Sequence, residues 1–337
     1  MLTKPHRLCP GDTIATVSPS FGWAGDAAVH WAYALGKKRL EECFGLRVAA
    51  APNAMRGSEY LVQNPAARAE DIMWAFERDE VKAIIANIGG NDSDRVVPLI
   101  DAAVIKRHPK IFIGYSDAMN LHLLCYKAGL ASFYGHNLLT TLAEPGALHP
   151  YSEKWFRKVL FDPSPIGPVE PSPDWTCDGL DLHDPDARRV YLPNPVGYEL
   201  IQGEGVAEGH LLGGHTGMLD AGLSVEDYAG AILFVEDIPE FFSPDQAATF
   251  FRRLGQMGAL QSLAGVIIGK IKEFGGFDGH AKAIRRVIGD EFGLRKKPVL
   301  YGLNFGHTSP MCILPYGAKA QINCEAKAFT IIDSGVV

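Results

Sequence analysis

The chain has 337 residues, of which 47% are hydrophobic and 21% charged, and its formal net charge is -7. This length suffices for two domains with hydrophobic cores, and the composition is that of a globular protein. The negative charge, without a basic block, gives no electrostatic support for nucleic-acid binding, and no apolar run approaches the roughly 20 residues that span a bilayer. We therefore expect neither a nucleic-acid partner nor a membrane partner.

The N-terminal segment, the cysteines and the histidines lack targeting and metal-binding patterns. MLTKPHRLCPGDTIATVSPS has no apolar stretch typical of a secretory signal, so a cytoplasmic location is expected. The 6 cysteines include no CxxC pair, which indicates free thiols in a reducing compartment. His210 and His215 fit no familiar metal spacing and HExxH is absent, so neither a metal nor another cofactor is predicted.

The first half of the sequence alternates between strand-like and helix-like segments. Short apolar runs predict strands at residues 12–18, 46–51, 81–88 and 110–113. Apolar residues at helical spacing predict helices at 27–43, 65–79 and 91–100, with another starting at Ala118. Repeated β-α alternation favours a parallel sheet with helices on both faces.

Prolines crowd between Pro145 and Pro195, where we predict an extended, irregular segment and a domain boundary. Beyond it the predicted strands are 231–235, 265–271, 298–303 and 318–332, and the predicted helices are 246–260 and 280–292. The second domain is therefore expected to be mixed and rich in strands.

Ser116 lies in the segment IFIGYSDAMNLHLLCYKAG, at a predicted strand-to-helix turn. Gly114 permits a sharp turn, and a serine there projects its hydroxyl beyond the sheet, as in the nucleophile elbow of hydrolases. The segment reads G-Y-S-D and not G-x-S-x-G. Serine is also a favoured helix N-cap, which is the commoner explanation when this segment is taken alone.

Two further predicted strands end in residues with catalytic potential. Glu236 follows the strand AILFV, and His307 lies shortly after the strand PVLYGL. Because ligands of α/β sheets gather beyond the carboxyl ends of the strands, Ser116, Glu236 and His307 predict a Ser-Glu-His triad. The alternatives are a solvated acidic loop for Glu236 and a polar turn for His307.

Gly89 and Gly90 follow the strand at 81–88 and precede Asn91. Their backbone N–H groups suit an oxyanion hole, although paired glycines after a strand also form ordinary turns. The sequence contains neither GxGxxG nor GxxxxGK[ST], so these motifs give no support for nucleotide binding.

Seven motifs occur in one order along the chain. They are SPS at 18–20, IGGND at 88–92, IGYSD at 113–117, YGHN at 134–137, EGHLLGGHTGML near Gly213 and Gly214, LFVEDIPE around Glu236 and FGHTSP around His307. As a set they resemble the LD-carboxypeptidase family, and within it the branch of microcin C immunity proteins.

The resemblance implies a serine peptidase in which Ser116 is the nucleophile, Glu236 orients the base and His307 is the base. It implies a flavodoxin-like or Rossmann-like N-terminal α/β domain (1–160), a Pro-rich linker or substrate loop (161–195) and a β-rich, barrel-like C-terminal domain (196–337). It also implies a cytoplasmic homodimer that needs no metal, with its active site in the cleft between the domains.

The oxyanion donors of the family fall on the backbone N–H groups of Asp117 and of Gly90 or Gly89. Murein-recycling members of the family cleave the bond to a terminal D-alanine, whereas the immunity branch hydrolyses peptidyl- or aminoacyl-nucleotides. IGGND and the Pro-rich insert resemble the immunity branch, so a small peptide-like or aminoacyl-nucleotide substrate is expected.

The residues expected to bind substrate are Asn91, Trp175, His215 and Tyr198. His215 stands where the family usually has asparagine, and Tyr198 where tryptophan is common. Trp175 has an equally good alternative as a hydrophobic anchor that pins the loop. Two other classes of protein stay open from the residues: a two-domain ligand-binding protein without catalysis, and a metal-dependent hydrolase.

Overall fold

The structure, a computed structural model, describes residues 2–220, 222–271 and 277–337. In chain order its strands are β1 (Thr13–Val17), β2 (Arg47–Ala50), β3 (Val81–Ala86), β4 (Ile111–Gly114), β5 (Phe133–Tyr134), β6 (Gly167–Pro168), β7 (Asp174–Trp175), β8 (Leu192–Pro193), β9 (Glu199–Gln202), β10 (Val206–His215), β11 (Ala231–Glu236), β12 (Gly265–Gly269), β13 (Val299–Leu303), β14 (Leu314–Pro315), β15 (Lys319–Asn323) and β16 (Ala328–Ile331). The α-helices are α1 (His30–Glu42), α2 (Ser58–Gln63), α3 (Pro65–Glu77), α4 (Ala102–Arg107), α5 (Met119–Lys127), α6 (Pro150–Leu160), α7 (Pro244–Met257), α8 (Ala259–Ser262) and α9 (Phe277–Arg285).

The N-terminal half forms a sheet of order β14-β5-β4-β3-β1-β2. Among the described strands of this sheet, β1 to β5 run parallel and only β14 is antiparallel to its neighbour. All residues of β1 and β4 are buried, as expected for apolar strands with helices on both faces. The order 2-1-3-4-5 is that of flavodoxin-like folds, so the predicted parallel α/β domain is confirmed.

The C-terminal part forms a mixed sheet of order β6-β16-β15-β10-β11-β12-β13-β9. Strands β10 to β13 are parallel, while β15, β16, β6 and β9 pair antiparallel. The prediction of a mixed, β-rich region is therefore confirmed. Strands β6 and β9 are edges, so hydrogen bonds among the described strands leave the sheet open and not closed into a barrel.

The chain crosses between the two parts more than once. Strand β14, from the last part of the sequence, pairs with β5 in the N-terminal sheet, and β6, within the predicted linker, pairs with β16. Apolar residues of both sheets share one buried cluster that includes Ile14 and Phe234. The boundaries 1–160, 161–195 and 196–337 stay a proposal.

Two predicted segments differ in the structure. Residues 91–100, predicted as a helix, form two 3-10 turns, Ser93–Arg95 and Val97–Leu99. Pro98 falls in the interior of the predicted helix, where it has no N–H to donate and its ring clashes with the preceding turn, so a continuous α-helix does not form.

The Pro-rich segment is not irregular throughout, because it contains α6. Pro150 occupies the first turn of this helix, where its missing N–H costs nothing, and His149 caps the helix through Nδ1. Strand β10 has no counterpart in the prediction, since its glycines and histidines obscure the strand pattern. No helix in the described part of the chain combines the length and apolar character that a bilayer crossing requires.

Candidate active site

Ser116 lies directly beyond β4, in a 3-10 turn (Ser116–Ala118) that leads into α5. Its φ is 62°, in the left-handed region that non-glycine residues rarely adopt. A Cβ on Gly114 would lie 2.9 Å from Ala86 Cβ and 3.0 Å from Ala118 Cβ, so only glycine lets the chain turn this tightly. The sharp strand-to-helix turn predicted from the sequence is present.

Glu236 is the last residue of β11, and His307 follows β13 by four positions. These parallel strands flank β12 and end at the same edge of the C-terminal sheet. The backbone of Gly306, with φ 94°, passes against the Glu236 carboxylate, where a Cβ would lie 2.6 Å from Glu236 Cδ. The sequence FGH therefore brings His307 within reach of Glu236.

A chain of hydrogen bonds joins the three side chains. His307 Nε2 lies 3.0 Å from Ser116 Oγ, and His307 Nδ1 lies 2.7 Å from Glu236 Oε2. The His307 backbone N–H also donates to Glu236 Oε2, at 3.2 Å. With Nδ1 protonated towards the carboxylate, Nε2 is free to accept the serine proton.

Glu236 is an ionised carboxylate in a buried place, with 2% of its surface exposed. Burial by itself raises its pKa, but the charge and hydrogen bond of His307, with help from Tyr134, hold the pKa of Glu236 below its ordinary value. The carboxylate is therefore charged at neutral pH and can stabilise a protonated His307.

Tyr134 belongs to this cluster and was missed by sequence reasoning. Its hydroxyl donates to Glu236 Oε1 at 2.5 Å and accepts the backbone N–H of Ser116 at 3.2 Å. The only signal in the sequence was its place in the YGHN motif, and nothing there indicated a contact with a glutamate 102 positions away.

A second network fixes the loop after β3 beside Ser116. The Asp117 carboxylate accepts the Ser20 hydroxyl at 2.5 Å and the backbone N–H groups of Asp92 and Ser93 at 3.0 and 2.8 Å. The buried Arg68 guanidinium donates to both carboxylate oxygens of Asp92, at 2.8 and 2.9 Å. Bidentate pairs of this kind fix geometry, so the loop that carries Gly89 and Gly90 is held in place.

The space beside Ser116 depends on Gly89. A Cβ on this residue would lie 2.8 Å from Ser116 Oγ and 3.3 Å from the Asp117 backbone nitrogen. Glycine therefore leaves room for a small group that contacts the serine oxygen and a backbone N–H together. Gly90 has φ 151°, and a Cβ on it would collide with Ser20 and the Phe21 ring.

A cleft of about 690 Å³ is lined by Asp117, the residue after Ser116, but not by Ser116 or His307; we call it the Ser116 cleft after this neighbour. Asn91, Asp117 and His215 line it, with the apolar side chains of Met119 and Leu123 from α5. His215 Nδ1 accepts the Gly217 N–H at 3.1 Å, which places the ring proton of a neutral His215 on Nε2. The structure thus brings Asn91 and His215 together in one cleft with Asp117, the residue after Ser116.

Trp175 lies elsewhere, on β7 of the Pro-rich insert. The Lys270 ammonium sits 4.8 Å from the centre of its ring and donates to Asn194 Oδ1 at 3.0 Å. Burial lowers the pKa of Lys270 to about 8. Both residues line a smaller pocket of about 250 Å³ that does not include the residues of the Ser116 cleft.

The insert is nevertheless tied to the His307 loop. Thr176 exchanges backbone hydrogen bonds with Ser309, and Arg189 and Tyr191 both hydrogen-bond to the Ser309 hydroxyl at 3.0 Å. Arg189 also forms a buried ion pair with Glu144. The insert therefore borders the side of the site on which His307 lies.

Tyr198 is 5% exposed and packs within the hydrophobic core. It lines neither the Ser116 cleft nor the Trp175 pocket. The structure thus gives Tyr198 a packing position, which does not support the expected contact with substrate. Among the residues described, no group of three or more histidine, cysteine, aspartate or glutamate side chains could hold a metal ion.

Comparisons with known proteins identify the family of the chain. Residues 14–135 match the LD-carboxypeptidase N-terminal domain, and residues 208–322 match the LD-carboxypeptidase C-terminal domain. A Bacillus subtilis protein named probable murein peptide carboxypeptidase is 30% identical, over 99% of this chain and 95% of that protein. The Escherichia coli microcin C7 self-immunity protein MccF is 27% identical, over 79% of this chain and 78% of that protein.

Among solved structures, an MccF-like protein from Streptococcus pneumoniae in complex with AMP has a TM-score of 0.86 at 28% identity, covering 95% of this chain and 98% of that one. The two domain matches together span more than half of the sequence. Because this is a family of peptidases, the matches favour an enzyme over a two-domain ligand-binding protein without catalysis. The chain belongs to the LD-carboxypeptidase family and is a serine carboxypeptidase-type hydrolase.

Proposed function

We propose that Ser116, His307 and Glu236 form a catalytic triad that hydrolyses an amide or acyl bond through an acyl-enzyme. The observation that carries this proposal is the position of His307, 3.0 Å from Ser116 Oγ and 2.7 Å from Glu236 Oε2. These distances are within the reach that proton transfer requires.

In the first step Ser116 Oγ attacks the substrate carbonyl carbon and its proton passes to His307 Nε2. Glu236 stabilises the imidazolium that forms. The tetrahedral intermediate then expels the leaving group, which takes the proton from His307, and an ester of Ser116 remains. A water molecule then attacks the ester carbonyl carbon while His307 takes its proton. The second tetrahedral intermediate collapses by cleavage of its bond to Ser116 Oγ, which receives the proton from His307, and the carboxylic acid product is released.

The backbone N–H groups of Asp117 and of Gly90 or Gly89 are the proposed oxyanion donors. The room left by Gly89, next to both Ser116 Oγ and the Asp117 nitrogen, supports this assignment. Because Asp117 lies in the turn that leads into α5, its N–H is close to the N-terminus of that helix, the end at which the helix dipole favours negative charge.

The proposed substrate is a small aminoacyl- or peptidyl-nucleotide. The likeness to an MccF-like protein that binds AMP and to a microcin C7 self-immunity protein supports it. In the catalytic cycle His307 protonates the leaving group, so the proposed leaving-group side is the one bordered by the Pro-rich insert. Trp175 lines a separate pocket of that insert, and we propose it as the aromatic surface for a base. We also propose Asn91 and His215 as contacts on the opposite, acyl side.

A second candidate is the removal of terminal D-alanine from murein peptides. The observation that favours it is the 30% identity, over nearly the whole chain, to a protein named probable murein peptide carboxypeptidase. Both reactions would use the same triad and differ only in the leaving group.

The test is a parallel assay of the purified enzyme on an L,D-linked muropeptide and on an aminoacyl sulfamoyl-nucleotide. Ser116→Ala should abolish turnover of the preferred substrate, whereas Ser164→Ala, at an exposed serine of the insert, should not change it. Turnover by Ser116→Ala equal to that of the wild type would remove the proposal. The expected homodimer also stays a proposal, which sedimentation velocity tests directly.

A further inference from the structure

Tyr134 occupies a position that the hydrolytic steps above do not use. It is fully buried on β5, and β5 pairs in parallel with β4, the strand that leads to Ser116. Its hydroxyl lies between the Ser116 backbone and the Glu236 carboxylate, at 3.2 and 2.5 Å. One phenol therefore contacts the nucleophile turn of the first sheet and the acidic residue of the second.

The direction of each hydrogen bond follows from the chemistry of the partners. The Ser116 N–H can only donate, so the phenol oxygen accepts it, and the phenol O–H is left to donate to Glu236 Oε1. The other carboxylate oxygen, Oε2, takes both bonds from His307. The two oxygens of Glu236 are thus divided between Tyr134 and His307.

These bonds close a ring. From the Ser116 N–H it runs through the Tyr134 hydroxyl to Glu236, through the carboxylate to His307, and from His307 Nε2 back to Ser116 Oγ. The ring begins at the backbone N–H of Ser116 and ends at the side-chain oxygen of the same residue. Since Ser116 holds a strained φ of 62°, a bond to its N–H helps to keep the turn in that conformation.

The phenol also bears on the charge of Glu236. A buried carboxylate is costly unless its oxygens accept hydrogen bonds, and a donor to Oε1 stabilises the ionised form. Burial first, and then the nearby carboxylate, raise the pKa of Tyr134 well above its ordinary value, so the phenol keeps the proton that it donates.

We propose that Tyr134 is a positioning residue for hydrolysis, which holds the Ser116 turn against Glu236 and keeps that carboxylate ionised and oriented towards His307. The inference rests on the proposed triad and adds a fourth member that touches neither substrate nor the reacting atoms. Removal of the hydroxyl should therefore act on kcat more than on KM.

The variant Tyr134→Phe keeps the ring, which packs against Phe234 and His122, and removes only the oxygen. We expect kcat/KM to fall about 10- to 100-fold, mostly in kcat, as for a lost charged hydrogen bond at a buried group. Without the donor the pKa of Glu236 rises, and because Glu236 and the base His307 titrate as a coupled pair, the acid limb of the kcat/KM profile should move to higher pH. The titratable groups that face Glu236 are His307, Tyr134, His215, Tyr316 and Tyr115.

The matched control is Tyr33→Phe, which removes a buried hydroxyl whose hydrogen bond, at 3.1 Å, is to Thr16 and not to a triad residue. It should change kcat/KM by less than about twofold and leave the acid limb in place. Replacement of Tyr134 by 3-fluorotyrosine keeps the hydroxyl but makes the phenol more acidic, so it is a stronger donor to Glu236 and should move the acid limb to lower pH. This variant tests the proposal even if Tyr134→Phe does not fold.

The rate at which a fluorophosphonate probe labels Ser116, measured against pH, gives a second readout that needs no natural substrate. Tyr134→Phe should be labelled more slowly than Tyr33→Phe. If the probe labels the wild type but not Ser116→Ala, the result supports the triad, and it does so independently of the role of Tyr134. A Tyr134→Phe enzyme with wild-type kcat/KM, or a 3-fluorotyrosine enzyme with an unmoved acid limb, would overturn the role of Tyr134 alone.

Discussion

Gly306 lies against the carboxylate of Glu236, so closely that a Cβ would be 2.6 Å from Glu236 Cδ and Cγ. Its φ of 94° is one that side chains rarely adopt. The absence of a side chain next to His307 is therefore what lets the histidine backbone N–H and ring both reach Glu236 Oε2.

Gly306→Ala should therefore lower kcat/KM by at least about 100-fold, because the methyl group displaces Glu236 or His307. Gly230→Ala is the control, since Gly230 has φ 70° but no other atom within 4 Å of the place that a Cβ would take. It should cost roughly 1 kcal/mol of unfolding free energy and leave kcat/KM unchanged. Steady-state kinetics and urea unfolding of both variants check this, and equal activity losses would contradict it.

Gly89→Ala should inactivate the enzyme while the fold persists. The new methyl group would lie 2.8 Å from Ser116 Oγ and 3.3 Å from the Asp117 nitrogen, where the substrate oxyanion is proposed to bind. We expect a loss of kcat/KM of about 100-fold or more, by comparison with the removal of an oxyanion-hole donor. Kinetics together with circular dichroism measure it, and a variant of wild-type activity would place the oxyanion elsewhere.

Asp71 should make stability depend on pH in the direction opposite to most carboxylates. It is 2% exposed, and burial raises its pKa to about 6 although Asn53 donates two hydrogen bonds to Oδ1. A carboxyl whose pKa is raised by folding destabilises the fold above pH 6, and this penalty disappears as the pH falls towards 4.

The free energy of unfolding of Asp71→Asn, minus that of the wild type, should therefore increase by about 2 kcal/mol between pH 4 and pH 7. Urea unfolding at several pH values measures this difference. A difference that stays constant, or that decreases with pH, would show that Asp71 is fully ionised in the fold at pH 5.

The buried ion pair of Glu144 and Arg189 should couple the Pro-rich insert to activity. Glu144→Gln leaves a guanidinium at 10% exposure without its charged partner, which costs about 3 kcal/mol at such sites. Because Arg189 also holds Ser309, two positions after His307, kcat/KM should fall as well. Thermal unfolding and kinetics check both effects.

The matched control is Lys154→Ala, which breaks an exposed ion pair with Glu170 on the same insert. Surface pairs contribute about 0–1 kcal/mol, so this variant should resemble the wild type in both measurements. If Glu144→Gln loses stability but keeps full activity, the insert does not influence His307.

Local sequence was informative about strands and their ends. The apolar runs before Ser116, Glu236 and His307 predicted buried strands, which the structure contains, and the three side chains that were singled out there lie in hydrogen-bond contact. Parallel strands place their carboxyl ends on one edge of a sheet, where ligands bind. A polar residue just past a predicted strand is therefore a candidate site residue even when the neighbouring strands are unknown.

Elements whose form depends on contacts far along the chain escaped the sequence. The segment that begins at residue 91, predicted as a helix, is instead a loop bound to the Asp117 carboxylate, which accepts the N–H groups of Asp92 and Ser93 from 25 and 24 positions away. Strand β14 forms only because it pairs with β5, and the paired residues Leu314 and Tyr134 are 180 positions apart in the sequence. Tyr198 packs in the hydrophobic core because residues from other elements surround it, and the sequence near Tyr198 does not show these neighbours.

The sequence by itself determined the alternation of strands and helices, the sharp turn at Ser116 and the residue types available at each strand end, because these depend on hydrophobic periodicity and on local backbone preferences. Only the tertiary structure decided that Glu236 and His307 meet Ser116, and that Tyr134 joins the carboxylate to the serine backbone. Those contacts join residues of two sheets, and their distances are fixed by packing across a shared core, which no local pattern encodes.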